Sequence, residues 1–227
     1  MSSLISRLSC VGALVLTCTI SAVAGTVLLT FGDLPQDAFI TPTALVPYGI
    51  DSVISQAGSY PAVVRSCGQG CLNVLPQGTS SYLSMAGGNF PTPVGTFSTT
   101  FLFHDPTPYF SFFKSGYSLP SVGVAGWSAS AYDADDQLIA SVGVNLQGGL
   151  DYPPSPTPVY YSLSGNADIT KVIFLSNYNF QSTTGSVQVT NFQYEVADAG
   201  VPEPSTLGLA FLGLAAVITS ASARRRR

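Results

Sequence analysis

Three carboxylates lie within four residues of the chain, at Asp133, Asp135 and Asp136 in the segment SAYDADDQLIAS. Carboxylate oxygens at such density are the ligands that Ca²⁺ prefers. An EF-hand loop, however, needs a glycine at its sharp turn and a glutamate several residues later, and this segment has neither. Because Asp tolerates left-handed turn conformations, we interpret the three acids as the solvated tip of a hairpin.

Groups suited to catalysis are few. The single histidine, His104, precedes Asp105-Pro106 in a turn-rich segment, so any Ser-His-Asp triad would have to be built there. A glycosidase needs two tuned carboxyl groups, but the chain has only two glutamates, Glu195 and Glu203. Walker, dinucleotide-binding and H-E-x-x-H motifs are absent. We predict a protein that is not an enzyme, with a secreted hydrolase built on Asp residues as the catalytic alternative.

Two of the four cysteines are candidates for a disulfide. Cys67 and Cys71 lie in RSCGQGCLN, where two glycines permit a turn tight enough to bring the Cα atoms within bonding range. In an oxidising compartment we predict a Cys67–Cys71 bond, whose short loop stabilises by about 1 to 2 kcal/mol. Free thiols are the alternative, because a metal site would need ligands that His104 alone does not supply.

Aromatic side chains could stack on sugars. In PYFSFFKSGYSL, Phe110 and Phe112 share one strand parity, which favours ordinary core packing. Tyr152, Tyr160 and Tyr161 flank the proline-rich segment DYPPSPTPVYY. We interpret that segment as a semi-rigid strand connection rather than as a binding platform.

Three consecutive zones end the chain: the motif Val201, Pro202, Glu203, Pro204; the uncharged run LGLAFLGLAAVITSASA; and the cluster Arg224, Arg225, Arg226, Arg227. The two prolines hold Glu203 in an extended, accessible backbone. A helix of about 17 apolar residues just reaches across a hydrocarbon core. The arginines form a membrane stop on the cytoplasmic side. We predict a transmembrane helix with everything before Pro202 outside the inner membrane, because a buried core helix rarely ends in four arginines.

In this order the three zones resemble the PEP-CTERM sorting signal of exopolysaccharide-producing Gram-negative bacteria. The resemblance covers residues 201–227. It implies that a membrane-embedded exosortase processes the chain near Pro202-Glu203-Pro204 and passes the remainder to the cell surface or extracellular matrix. The Leu-Pro-x-Thr-Gly motif of Gram-positive sortase substrates does not occur in this segment.

The N-terminus is typical of a signal peptide. Arg7 supplies the positive charge, residues 8–20 an apolar segment, and Ala22 and Ala24 the small residues that precede cleavage, which we predict before Gly25. The alternatives are an uncleaved anchor and a lipoprotein modified at Cys18.

Charge is concentrated at the ends of the chain. Five of the eight cations lie in the terminal segments, 1–24 and 199–227, which leaves three, Arg65, Lys114 and Lys171, against eleven of the twelve acidic residues, a net charge of −8 between the termini. Binding of nucleic acid needs a basic patch, so we exclude a nucleic-acid partner. A surface rich in Ser, Thr, Asn, Gln and Tyr suits an extracellular matrix.

Between the termini the pattern predicts an all-β domain. Glycine and proline interrupt every candidate amphipathic helix. Trp127, Ala129 and Ala131 alternate with polar residues before the acidic tip, and a second strand begins at Leu138, which predicts a hairpin. A parity change predicts a bulge near Thr190-Asn191. Further strands are predicted at 26–31, 81–85, 95–103, 109–114, 159–163, 171–176 and 186–195, enough for a two-layer β-sandwich.

The opening strand with Phe31-Gly32-Asp33-Leu34, the SAYDADDQLIAS hairpin, KVIFLS and VTNFQYE resemble jelly-roll domains related to galactose-binding and carbohydrate-binding modules. Such domains often hold a structural Ca²⁺ between an acid on the opening strand and an Asp on the closing strand. Asp33 fits the first position, but Thr190 stands at the second. One carboxylate is too few for a tight site, so we predict no cofactor, with a structural Ca²⁺ as the alternative.

The expected organisation is a signal helix at 1–24, a jelly-roll β-sandwich at 25–198 and the sorting signal with its transmembrane helix at 199–227. We expect an exported structural or adhesive protein of the cell envelope or extracellular polysaccharide matrix. Its expected partners are an exosortase, the inner membrane before processing, and exopolysaccharide. A carbohydrate-binding module is the alternative.

Overall fold

A computed structural model describes residues 25–57, 59, 61–66, 75–87, 95–116, 124–144, 150–151, 155–178 and 186–196. These residues form eleven β-strands and a short 3₁₀ turn at Val46–Tyr48. The strands are β1 Gly25–Leu29, β2 Ala38–Phe39, β3 Ile50–Ser55, β4 Val63–Ser66, β5 Ser81–Met85, β6 Gly95–Lys114, β7 Val124–Tyr132, β8 Leu138–Val144, β9 Leu150–Asp151, β10 Val159–Tyr178 and β11 Val187–Val196. Within the described residues, no helix has the length and apolarity needed to cross a bilayer.

The all-β prediction is confirmed, and antiparallel pairing produces a two-layer sandwich of jelly-roll type. The two longest strands, β6 and β10, belong to both layers. Residues 95–103 of β6 lie between β3 and the second half of β10, and β7 and β8 follow. Residues 109–114 of β6 lie between the first half of β10 and β11, and the strands beyond are β5, β4 and β2.

Both long strands bend where proline interrupts the hydrogen-bond ladder. Pro106 and Pro108 lack an amide donor, and the register of β10 shifts between Ser164 and Ile169 opposite them. The inward parity of β6 changes across the bend, from odd positions up to Thr107 to even positions at Phe110 and Phe112. Four predicted strands therefore merge into two continuous bent strands. β6 contains the strands predicted at 95–103 and 109–114, and β10 contains those predicted at 159–163 and 171–176.

An aromatic cluster joins the two layers. Phe101 and Phe174 from one layer meet Phe110 and Phe192 from the other, and all four rings are fully buried. Edge contacts dominate, with ring centroids 4.9 Å apart for Phe110–Phe192 and 5.3 Å for Phe101–Phe192. Edge-to-face rings add about 0.5 to 1.5 kcal/mol per pair beyond their area burial. The core role predicted for Phe110 and Phe112 is confirmed.

The predicted hairpin and bulge are also confirmed. β7 and β8 pair from Trp127 with Val144 to Tyr132 with Leu138. In β11 the register against β6 shifts between Thr190 and Gln193, and Asn191 adopts a left-handed φ of 52°. This extra residue turns β11 so that the apolar residues on both sides of the bulge face the core: Val187, Val189, Phe192 and Tyr194.

Candidate functional sites

The sorting motif at Val201, Pro202, Glu203 and Pro204, the membrane stop, Ala22 and Ala24, and the Cys67–Cys71 pair lie outside the described residues, so they remain predictions. Gly25, the expected first residue after signal cleavage, opens β1 and pairs with Val196, the last residue of β11. The two ends of the described domain are therefore neighbours.

The acidic segment forms a hairpin tip held by its own carboxylate. Asp133 Oδ1 accepts the backbone N–H of Asp135 at 2.9 Å and that of Gln137 at 2.8 Å. Asp136 occupies a left-handed φ of 60° and forms an ion pair with Lys171. Two of the three carboxylates are thus committed to the turn and to a cation of the protein. Among the described residues, no group of three or more His, Cys, Asp or Glu could hold a metal ion.

The structural Ca²⁺ that the resemblance implies does not fit the loop after β1. Three backbone carbonyls converge there on the side-chain amide of Gln36: Nε2 donates to Leu34 O at 2.8 Å and Phe31 O at 3.1 Å, with Gly32 O at 3.4 Å. Gln36 Oε1 in turn accepts from Ser81 Oγ at 3.0 Å. A side-chain N–H₂ therefore takes the place among these oxygens that a cation would need.

Thr190, at the second expected calcium position, is fully buried and donates its hydroxyl to Ser81 O at 3.0 Å. Its hydrogen is thus used within the sheet. Asp33 is exposed. A neutral hydroxyl engaged in a protein contact and one exposed carboxylate do not make the anionic oxygen cage that Ca²⁺ requires.

His104 forms a surface pair with an acid. Its Nδ1 lies 2.9 Å from Asp51 Oδ1, and both side chains are at least half exposed. The hydrogen bond that the His104 ring donates to Asp51, and then the charges of Asp51 and Asp105, raise the pKa of His104. This arrangement favours the protonated imidazolium below the raised pKa, whereas a general base must be neutral to accept a proton.

An aromatic row crosses the outer face of the layer that contains β11. Tyr160 on β10 pairs with Phe113 on β6, and their rings lie 5.2 Å apart, edge to face. Phe113 also pairs with Thr190 on β11. One strand further, Tyr82 on β5 pairs with Arg65 on β4. We call Tyr82, Phe113 and Tyr160 the aromatic strip.

The strip faces away from the core because its strand neighbours face inward. Phe112, Tyr161 and Leu83 pack in or against the core, and side chains alternate along each strand. Tyr160 is 51 % exposed, and Phe113 and Tyr82 are half-buried. Burial raises the pKa of Tyr82, an effect that the nearby Arg65 partly opposes.

Hydroxyl and amide groups border the strip on both sides. On one side Ser84 pairs with Gln188, whose Oε1 accepts from Ser115 Oγ at 3.3 Å. The other side carries a second row, in which Ser162 pairs with Ser111 and Ser111 with Gln193. Tyr160 was singled out from the sequence, and Phe113 lies in the aromatic run PYFSFFKSGYSL. Tyr82 was not predicted as part of a site. Its parity, opposite to that of the apolar Leu83, is the signal that could have identified it.

Residues 200–227 match the model of the PEP-CTERM protein-sorting motif. The chain therefore carries that motif at its C-terminus. No curated protein matches the chain.

Solved structures share low sequence identity with the domain. The adhesin domain of Lys-gingipain is 13 % identical, with a TM-score of 0.47 over 75 % of this chain and 99 % of that domain. An arabinose-bound α-L-arabinofuranosidase is 10 % identical, with a TM-score of 0.47 over 74 % of this chain but 26 % of the enzyme. The CBM32 module of AlyQ, in complex with 4,5-unsaturated mannuronic acid, is 16 % identical, with a TM-score of 0.34 over 64 % of this chain and 94 % of the module. At these values none of the three bears on what this chain binds or does.

Proposed function

We propose that this protein is exported, sorted through its C-terminal signal and retained at the cell surface or in the extracellular polysaccharide matrix as a structural or adhesive component. The observation that carries the proposal is the match of residues 200–227 to the PEP-CTERM sorting motif. The signal-peptide pattern before Gly25 supports export. The apolar run and four terminal arginines support an inner-membrane precursor that an exosortase then processes near Pro202-Glu203-Pro204.

The described part of the chain supports a protein without catalytic activity. His104 is paired with a carboxylate at the surface, and Asp133 is engaged in its own turn. Six of the aspartates that a hydrolase would have to recruit are exposed: Asp33, Asp37, Asp51, Asp135, Asp136 and Asp168. A catalytic acid instead needs a setting that shifts its pKa, such as burial beside a second carboxylate.

The sorting step is tested by replacing Pro202-Glu203-Pro204 with three alanines and following the protein by cell fractionation. The variant keeps the apolar run and the arginines, so it should remain in the inner membrane as the unprocessed form. Alanines at Ser205 and Thr206, directly after the motif, provide the matched control and should leave delivery unchanged. Surface delivery of the Pro202-Glu203-Pro204 variant at the wild-type level would refute the proposal.

A second candidate function is carbohydrate binding, which would provide the adhesive contact of a matrix protein. The aromatic strip favours it, because Tyr160 exposes half of its surface beside Phe113, and serine and glutamine side chains lie on the same sheet face. Amphipathic aromatic rings of this kind are common where a protein contacts a partner that is partly apolar and partly polar.

A further inference from the structure

We propose that the outer face carrying the aromatic strip binds a neutral, extended β-linked polysaccharide that runs across the strands from β10 towards β5. This inference deepens the proposed function and rests on it, since delivery to the matrix is what brings the domain into contact with such chains. The site consists of Tyr160, Phe113 and Tyr82 with the polar rows on either side.

Ring spacing is the first argument. Strands of a sheet lie about 4.8 Å apart, so side chains on successive strands repeat at about that interval. Phe113 and Tyr160 occupy adjacent strands, with ring centroids 5.2 Å apart. Tyr82 lies two strands beyond Phe113, with the fully buried Thr190 between them. A ribbon-like chain of sugar rings crossing the strands would meet the rings of Tyr160 and Phe113 first, then pass over the covered Thr190, and then meet the ring of Tyr82.

Chemical complementarity is the second argument. The axial C–H groups of a pyranose form an apolar face with slight positive charge, which matches the negative face of an aromatic ring. The equatorial hydroxyls of the same sugar point sideways, where Ser84, Gln188, Ser162 and Gln193 border the strip. Serine hydroxyls and glutamine amides can both donate and accept, as sugar hydroxyls do.

The charge of this face is the third argument, because it favours a neutral polysaccharide over an anionic one. Arg65, the cation that pairs with Tyr82 across the strands, is already engaged with Asp37 at 3.4 Å, and the described residues that form the strip and its borders are uncharged. Burial raises the pKa of Tyr82 above its ordinary value, which further favours the neutral phenol. With three cations against eleven acids outside the terminal segments, this part of the chain repels polyanions.

The position of the face leaves it accessible in an anchored protein. The chain leaves the domain after Val196 at the end of β11, and Thr190 lies six residues earlier on the same strand. At about 3.3 Å per residue, the strip is roughly 20 Å from that end. Val196, the last described residue before the sorting segment, therefore lies at one end of β11, and the strip lies towards the other end.

The test is affinity electrophoresis or calorimetry of the full chain with cellohexaose and mannohexaose as neutral probes and hexamannuronate as the anionic probe. The chain is kept in a polyoxyethylene detergent, since a glucoside headgroup would compete. We expect both neutral probes to bind and the anionic probe to bind at least tenfold more weakly. Tyr160→Ala and Tyr82→Ala should each weaken the neutral probes about tenfold or more, equal to about 1.4 kcal/mol.

Two matched variants guard against indirect effects. Tyr160→Phe keeps the ring and should bind within about threefold of wild type. Leu138→Ala removes a side chain that is 59 % exposed on the other layer and should bind like wild type. Three results would overturn the proposed site. The first is equal glycan binding by wild type and Tyr160→Ala, and the second is preferred binding of hexamannuronate. The third is a Tyr160→Ala variant that loses self-association but keeps glycan binding. A chain that reaches the surface yet binds neither neutral probe refutes this inference alone, whereas failed delivery refutes the proposed function.

Discussion

Gln36 illustrates how one side chain can take the place of a bound ion. The loop between β1 and β2 turns three carbonyl oxygens towards one point, and such a cluster of negative partial charge needs a positive partner. The Gln36 amide provides two N–H donors, and Leu34 O and Phe31 O lie at the shorter distances of 2.8 and 3.1 Å. The same loop holds Phe31 at a left-handed φ of 64° while its ring packs edge-on against Phe192. The amide thus helps to hold a strained residue of the core.

Replacing Gln36 with alanine should therefore destabilise the domain by about 1 to 2 kcal/mol, since each lost hydrogen bond contributes about 0.5 to 1.5 kcal/mol. In thermal unfolding this corresponds to a fall in Tm of about 2–8 °C. Gln56→Ala, which loses the hydrogen bond that Gln56 Oε1 accepts from Ser98 Oγ, is the control and should cost less. Addition of CaCl₂ or EDTA should leave the wild-type Tm unchanged. A rise of several degrees with CaCl₂ would contradict this account of the loop.

At the scale of elements, the β7–β8 hairpin closes through its own acidic tip. Asp133 satisfies two backbone N–H groups, and Asp136 takes the left-handed position that Asn, Asp and Gly favour. Lys171 then reaches across from β10 to the Asp136 carboxylate, and its ammonium lies 4.8 Å from the centre of the Tyr132 ring. The tip is therefore fixed to its neighbouring strand as well as to itself.

Within this tip, Asp133→Ala should lower the free energy of unfolding by about 1 kcal/mol, because two backbone donors lose a charged acceptor at a partly exposed site. Asp135→Ala removes an exposed carboxylate of the same segment and should change stability by less than about 0.5 kcal/mol. Urea denaturation of both variants measures the difference. Equal effects of the two changes would show that the Asp133 contacts do not hold the turn.

Strands were predicted correctly where apolar and polar residues alternate along the sequence, and they were missed where this alternation is absent. The strand at 81–85 was predicted with its observed bounds, because SYLSM buries every second residue. β3 was missed, since its buried residues Ile50 and Val53 are three apart around a register shift. β4 was missed because Val63 and Val64 are both buried. β2 and β9 have two residues each, too few for any pattern.

The aromatic strip was only partly predictable, for a geometric reason. Parity within one strand separates Phe113 from Phe112, but it does not tell which strands become neighbours. Tyr82, Phe113 and Tyr160 come from β5, β6 and β10, and only the pairing of distant strands brings them to one face. The sorting motif, by contrast, is a local pattern and could be identified from consecutive residues.

For the whole molecule, the central feature is a sandwich whose first and last described residues are neighbours. Gly25, which opens β1, pairs with Val196, which ends β11. The two long bent strands, β6 and β10, contribute residues to both layers, and the aromatic rings of the core are buried between the layers. On our proposal, processing at both ends would release this domain without disturbing a described strand, since the expected cut sites lie outside β1 and β11.

The most direct test of that account is mass spectrometry of the protein recovered intact from the cell surface. We predict a polypeptide that begins at Gly25 and has lost the apolar run with Arg224, Arg225, Arg226 and Arg227, its new C-terminus lying near Pro202-Glu203-Pro204. A surface protein that still extends from Met1 to Arg227, or a full-length chain found dissolved in the cytosol, would contradict the account.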